Sequence, residues 1–184
     1  MNLFFKIIML LFPAILLGQG AEIKETPEEY LNHIVETWNV DSNKIVYISN
    51  ETSMVDLAQN LHNSVLSFTK GELSTSAEIL DGRREVDESV CGLALNNLNV
   101  ENVEENLKDG KDYTKFHLKK LADNTDFNLT DSTTAILIYS KKMDYVIQDY
   151  FKVLEEFAGQ GVDYVIITFD NEITSQIPGA LNNG

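Results

Sequence analysis

Apolar residues are spaced in two different ways along this chain, and the change of spacing marks its elements. The clearest case runs from Thr134 to Asp170. Ala135–Tyr139 and Val162–Phe169 are near-continuous apolar runs, the pattern of strands covered on both faces. Between them Met143, Val146, Ile147, Tyr150, Phe151, Leu154, Phe157 and Ala158 keep helical spacing. Asp144, Gln148, Asp149, Lys152, Glu155 and Glu156 take the opposite face, and Gly159 and Gly161 end the helix. Two such strands joined by a helix are expected to lie parallel with a right-handed crossover.

Towards the N-terminus, Thr26, Pro27 and Glu29 predict a capped helix start. Tyr30, Leu31, Ile34, Val35 and Trp38 then share one face. Asn39 to Asn43 break the helix, and the run from Lys44 to Ser49 reads as a strand. Ser53 with Asp56 predicts a second capping box, opening a helix with Met54, Ala58, Leu61, Val65 and Phe68 on one side. Gly71 and the Ser/Thr cluster after it read as a loop. Asp81-Gly82, between two short runs, predicts a hairpin turn. Val100, Val103 and Leu107 have helical spacing, and Asp112 can start a helix through Tyr113, Phe116 and Leu121. Asp123 to Ser132 reads as a polar loop, and residues 173–184 as a frayed tail. No internal repeat and no low-complexity linker interrupts the pattern. The expected fold class is α/β, with a mostly central sheet and helices on both faces.

The first residues have a different character. Lys6 and the free amine precede an apolar stretch from Ile7 to Leu17 broken only by Pro13, and Gly18 and Gly20 stand just before Ala21. That is the layout of a secretory signal peptide over residues 1–20, and the stretch is shorter than the roughly 18 residues of a membrane span. The alternatives are an uncleaved anchor and an apolar helix of the folded protein. Residues 21–184 then form one domain, exported to the periplasm or the exterior. The formal net charge is -15, and losing Lys6 makes the chain more acidic still. Such a surface repels nucleic-acid backbones and anionic lipid, so neither nucleic-acid binding nor membrane insertion after signal removal is expected.

The strand–helix–strand unit from Thr134 to Asp170 resembles the corresponding part of exported bacterial redoxins of the thioredoxin superfamily. In those proteins an apolar strand ends in a turn, and a CxxC motif opens the next helix. Laid on this chain, Met143 and Val146 occupy the two cysteine positions, Asp149 and Val153 match the acidic and aliphatic positions that follow, and Phe151 stands where a helix-kinking proline is common. The segment EILDGRREV is similar to the final hairpin of such domains, but it precedes the unit, which implies either a rearranged strand order or an unusual member of a group of exported thioredoxin-like proteins that lack the CxxC. Thr75-Ser76-Ala77 replaces the proline expected before that hairpin. The resemblance implies a thioredoxin-like fold and, with both cysteines absent, no redox cycle.

Chemistry-bearing residues are few. Cys91 is the only cysteine, so no intrachain disulfide can form and a two-thiol exchange cycle is impossible. Its apolar and acidic neighbours, Val90, Leu93, Asp87 and Glu88, raise a thiol pKa and favour a buried, inert thiol over a reactive one. His33, with Glu29 and Glu36 at helical spacing, reads as an ion-pair edge rather than a metal site. His62 reads as a boundary residue, and Lys119 and Lys120 discourage a cation beside His117. The oxygen-rich stretch from Asp123 to Asp131 lacks the ligand spacing and glycine of a calcium loop. Asn50 and Asn128 open glycosylation sequons that matter only in a eukaryotic secretory pathway. No cofactor is implied. The expected function is a non-catalytic binding or interaction module for an unidentified protein or small ligand, its surface lying around Lys141, Lys142, Met143 and Val146. Two adjacent lysines on so acidic a chain read first as ordinary solvation of a loop and second as a contact for an acidic partner. The alternatives are a thiol-dependent redox protein using Cys91 and a periplasmic small-ligand carrier.

Overall fold

Thr26 caps the first helix from both sides. Its Oγ1 accepts from the Glu29 amide at 3.2 Å, and Glu29 Oε2 accepts from the Thr26 amide at 2.8 Å. The helix, α1, spans Pro27–Trp38, and Asn39 ends it in the left-handed region at φ 52°. Tyr30 and Ile34 are its buried residues. The structure is a computed structural model and describes residues 25–60, 65–80 and 98–180.

The elements that follow are β1 (Ile45–Ile48), α2 (Glu51–Asn60), β2 (Leu66–Lys70), β3 (Leu73–Ser76), α3 (Ala77–Leu80), α4 (Val100–Glu105), β4 (Lys108–Asp109), β5 (Leu118–Lys120), β6 (Asp126–Phe127), β7 (Thr134–Tyr139), α5 (Asp144–Gly159), β8 (Asp163–Thr168) and α6 (Asn171–Thr174). The strands form a mixed eight-stranded sheet in the order β4-β3-β2-β7-β8-β1-β5-β6. β7 and β8 are parallel, with Ala135 opposite Tyr164 and Tyr139 opposite Thr168. β1 lies parallel to β8 on its other side, and β2 lies antiparallel to β7. The parallel strands are therefore inner strands with both faces covered, which is why they read as continuous apolar runs.

Each face of the sheet has its own core. On one, Tyr47, Phe68, Leu137, Tyr139 and Ile166 pack against Tyr30 and Ile34 of α1 and Ile147, Phe151, Leu154 and Phe157 of α5. Trp38 stacks on Phe151 with ring centres 4.4 Å apart, and Phe68 meets Phe157 at 4.9 Å. On the other face, Val46, Ile48, Ile136, Ile138, Val165 and Ile167 pack against Leu57 of α2 and against Tyr113, Phe116 and Leu118. Each fully buried apolar side chain contributes about 1.5–3 kcal/mol.

Several sequence expectations are corrected. Helix α2 starts before Ser53. Asn50 Oδ1 accepts from the Ser53 amide at 2.7 Å, so Ser53 lies inside the helix and Asn50 is tied into its start. Phe68 belongs to a strand, not to that helix. In the run Leu66 to Thr69, Leu66 and Phe68 join the α1–α5 core while Ser67 and Thr69 face the other way, a period of two that a helix cannot satisfy. The turn of the hairpin is at Gly71, with φ +58°, and Leu73–Ser76 is a strand rather than a loop. Ala77–Leu80 is helical, in keeping with the helix preference of Ala, Glu and Leu; Asp81 through Asn97, with the expected second half of that hairpin, lie outside the described residues. Asp112 caps only a short 3-10 turn over Tyr113–Lys115, and the chain then extends so that Leu118 pairs with Ile48. The tail is packed as far as it is described, with Ile173, Thr174 and Ala180 buried.

Candidate functional site

Ligands of open α/β sheets bind outside the carboxyl ends of parallel strands, and here the ends of β7 and β8 carry a cluster of polar side chains. Phe169 N donates to Tyr139 O at 2.8 Å, which carries the ladder past the end of β8 and sets Asp170 beside the turn after β7. Asp170 then accepts three hydrogen bonds. Ser140 Oγ donates to its Oδ1 at 2.5 Å, and Tyr30 OH and the Lys141 amide donate to its Oδ2 at 2.6 and 2.8 Å. Tyr30 OH also lies 2.5 Å from Thr168 Oγ1. A phenol has a single proton to donate, and that of Tyr30 points to Asp170, so the Thr168 hydroxyl must donate to Tyr30. Burial first, and the Asp170 hydrogen bond second, push the Tyr30 phenol far above its ordinary value, so it serves as a fixed neutral donor.

A parallel arrangement stands at the start of α5. Asp144, its first residue, accepts from Tyr139 OH at 2.6 Å through Oδ1 and pairs with His33 Nε2 at 2.8 Å through Oδ2. A carboxylate is favoured at a helix N-terminus. The Tyr139 phenol is likewise held far above its ordinary value, by burial first and then by Asp144. His33 therefore pairs with Asp144 across 111 residues of chain rather than along its own helix with Glu29 or Glu36.

A cavity of about 250 Å³ opens beside this cluster, lined by Glu25, Tyr30, Lys141, Lys142, Asp170, Glu172, Ile173 and Gln176. The lysines singled out by the sequence both line it, and each has an acidic neighbour. Lys141 Nζ lies 2.5 Å from Glu25 Oε1, and Lys142 Nζ lies 3.7 Å from Glu172 Oε1. The second pair is about four-fifths exposed on both sides and contributes little. The lysines are balanced within the chain, which argues against an open seat for an acidic partner.

Met143 is the N-cap of α5 and makes no side-chain cap bond; its side chain packs against the α1–α5 core. Val146 is in the first turn and is 47% exposed, next to Tyr145 at 86%. Asp149 is exposed and pairs with Lys152 at 2.8 Å, while Phe151 and Val153 are buried. Cys91 and His62 lie outside the described residues. His117 is exposed, and its carbonyl accepts from Ser49 N at 2.9 Å. In the oxygen-rich stretch after Leu121, Asp123 Oδ1 accepts from the amide and hydroxyl of Thr125. No group of three or more His, Cys, Asp or Glu side chains is placed to hold a metal among the described residues.

No protein-family model, no curated protein and no solved structure matches this chain. The residues that organise the site, Tyr30, Ser140 and Asp170, were not visible in the sequence as a set. Tyr30 read as a core residue, and 140 residues separate it from Asp170. The signal available was an Asp directly after a buried strand, at the carboxyl end where α/β sheets place their sites.

Proposed function

We propose that this protein is an exported, non-catalytic binding module on a thioredoxin-like core, with its contact surface at the turn after β7 and the first turn of α5. One observation carries the reading: the groups at this strand end already bond to one another. Asp170 has three donors, and Tyr30 and Tyr139 are held as neutral phenols. A phenol so shifted is poorly placed to give a proton. What faces outward instead is a mixed surface, with Tyr145 and Val146 exposed beside Lys142.

The topology supports the thioredoxin-like part. The β7–α5–β8 unit is parallel, as the resemblance implies, and the hairpin β2–β3, earlier in the chain, joins the sheet on the free side of β7. A hairpin that precedes the unit supports the rearranged order, one of the two accounts of the resemblance; the segment EILDGRREV lies outside the described residues from Asp81 onward. Export rests on the character of residues 1–20. Among the described residues no helix is long and apolar enough to cross a membrane.

An insulin-reduction assay on the mature protein tests the non-catalytic reading. Reduction at background rate is expected, because no second thiol resolves a mixed disulfide. Turnover that vanishes in Cys91→Ser would replace the binding module by the thiol-dependent alternative.

A further inference from the structure

A cavity of about 360 Å³, within the range of small-molecule sites, lies between the end of α1 and the body of α5. Its walls are largely aromatic and aliphatic. Trp38 and Val40 come from the end of α1 and the turn after it, Phe151 and Leu154 from α5, and Tyr164 from β8. Trp38 and Phe151 stack almost parallel, with 2° between their planes. Tyr164 is fixed as well, because its hydroxyl accepts from the Asp41 amide at 3.1 Å. Two helices and a strand thus hold three rings around one opening. It shares no lining residue with the cavity beside Asp170.

The charge around this opening is negative. Lys152 and Glu155 both line it. Lys152 Nζ lies 2.8 Å from Asp149 Oδ1, so its charge is met from outside the cavity, and Glu155 makes no ion pair among the described residues. Whichever carboxylate Lys152 meets, Asp149, Glu155 and Glu156 outnumber it on this stretch of α5. The end of α1 adds to the effect. Thr37, Trp38 and Asn39 close that helix against the cavity, and its last turn carries no basic residue. The carbonyl end of a helix favours a cation.

These features select among ligands. An anion is disfavoured by the local carboxylates and by the -15 of the whole chain. A metal ion needs several ligating side chains, and no group of three or more His, Cys, Asp or Glu is placed to hold one among the described residues. A bare ammonium gains little from apolar walls and is costly to dehydrate. An alkylated ammonium suits both features. Its charge is attracted to aromatic rings and to a carboxylate, while its alkyl groups bury apolar surface against Val40 and Leu154.

We infer that this cavity binds a small organic monocation with an alkylated ammonium head. The head sits against Trp38 and Tyr164, near the Glu155 carboxylate and the end of α1. The rings would also take an uncharged ligand of the same shape, so charge is what separates this ligand class from a general apolar one. The seat lies further along α5 than the exposed Tyr145 and Val146, and neither depends on the other.

Titration calorimetry of the mature chain with choline tests the inference. The comparison ligand is the uncharged alcohol that carries a tert-butyl group in place of choline's trimethylammonium. Choline is expected to bind, and the alcohol to bind at least about tenfold more weakly. Glu155→Gln should weaken choline by about fivefold, while Glu101→Gln, the same charge change on α4 outside the cavity, should leave it unchanged. Tyr164→Leu should weaken it by about fivefold and Tyr164→Phe should not, since the ring is what the cation meets. Glu155 is exposed, so Glu155→Gln should keep the wild-type melting temperature and decides the matter even where Tyr164→Leu fails to fold. No choline binding, equal binding of the alcohol, full affinity in Glu155→Gln or in folded Tyr164→Leu, or an equal loss in Glu101→Gln would overturn it. Choline binding does not report on thiol chemistry, so the insulin assay decides the non-catalytic reading separately.

Discussion

The Ser140 hydroxyl donates to Asp170 Oδ1 at 2.5 Å and so ties the turn after β7 to the residue that follows β8. The other oxygen of the same carboxylate holds Tyr30 of α1 and the Lys141 amide. One side chain thus fastens three segments that are far apart in sequence. Hydrogen bonds to a charged acceptor are about twice as strong as neutral ones, so the cluster serves the stability of this strand end as much as its shape.

Tyr30→Phe keeps the buried ring and removes only the hydroxyl. Asp170 loses a donor and the Thr168 hydroxyl loses its acceptor. The expected cost is about 2 kcal/mol, read as a lower urea midpoint with an unchanged slope. A change within a few tenths of a kcal/mol would mean that the cluster is not a structural tie.

The same phenols give a pH dependence of known sign. Tyr30 and Tyr139 ionise in the folded protein far above the ordinary value of 10.0. Above that ordinary value the unfolded chain loses these protons while the folded chain keeps them, so stability is complete below it and falls as pH rises. Unfolding free energy should therefore decline steadily on the alkaline side, and the decline should be shallower in the double variant Tyr30→Phe with Tyr139→Phe. Equal slopes in both proteins would contradict the assignment.

Gly110 is placed by contact rather than by backbone angle. A Cβ there meets Ser74 Oγ at 2.6 Å and Ser74 O at 3.2 Å. Gly110→Ala should cost about 1–3 kcal/mol, as overpacking does. Adding Ser74→Ala should recover part of that cost and no more, since the close approach to the carbonyl persists. Thermal melts of the two single variants and the pair measure the coupling directly.

How much of this was legible depended on whether a segment's local pattern agreed with its tertiary setting. Thr26 and Glu29 announce α1 because their bonds are local, three residues apart. The β7–α5–β8 unit announces itself because both strands are buried on both faces. By contrast, β2 and β3 carry Ser67, Thr69, Ser74 and Ser76 on the face away from the α1–α5 core, where apolar residues would have shown the alternation. Their hairpin consequently read as helix and loop. Leu118–Lys120 was hidden in the same way, with two lysines in a short strand next to the sheet edge. At the site, Lys141 and Lys142 stood out as charges on an acidic chain, but Glu25 and Glu172, which balance them, become their neighbours only on folding.

The thioredoxin-like reading makes its sharpest claim about Met143 and Val146. They stand at the N-cap and in the first turn of the helix that follows an inner parallel strand. Residues three apart on a helix are within disulfide range, and the free amides at a helix start favour a thiolate. Met143→Cys with Val146→Cys, in a Cys91→Ser background, is therefore expected to form a reversible disulfide in the folded protein. One of the new thiols should titrate below the roughly 8.5 of free cysteine. Thiol counting before and after mild oxidation, with a pH titration of the reduced form, is the direct measurement. Two thiols that stay free under oxidant, or that both titrate at or above the free value, would show that these positions are not a vacated redox site, and the thioredoxin-like assignment would fall with them.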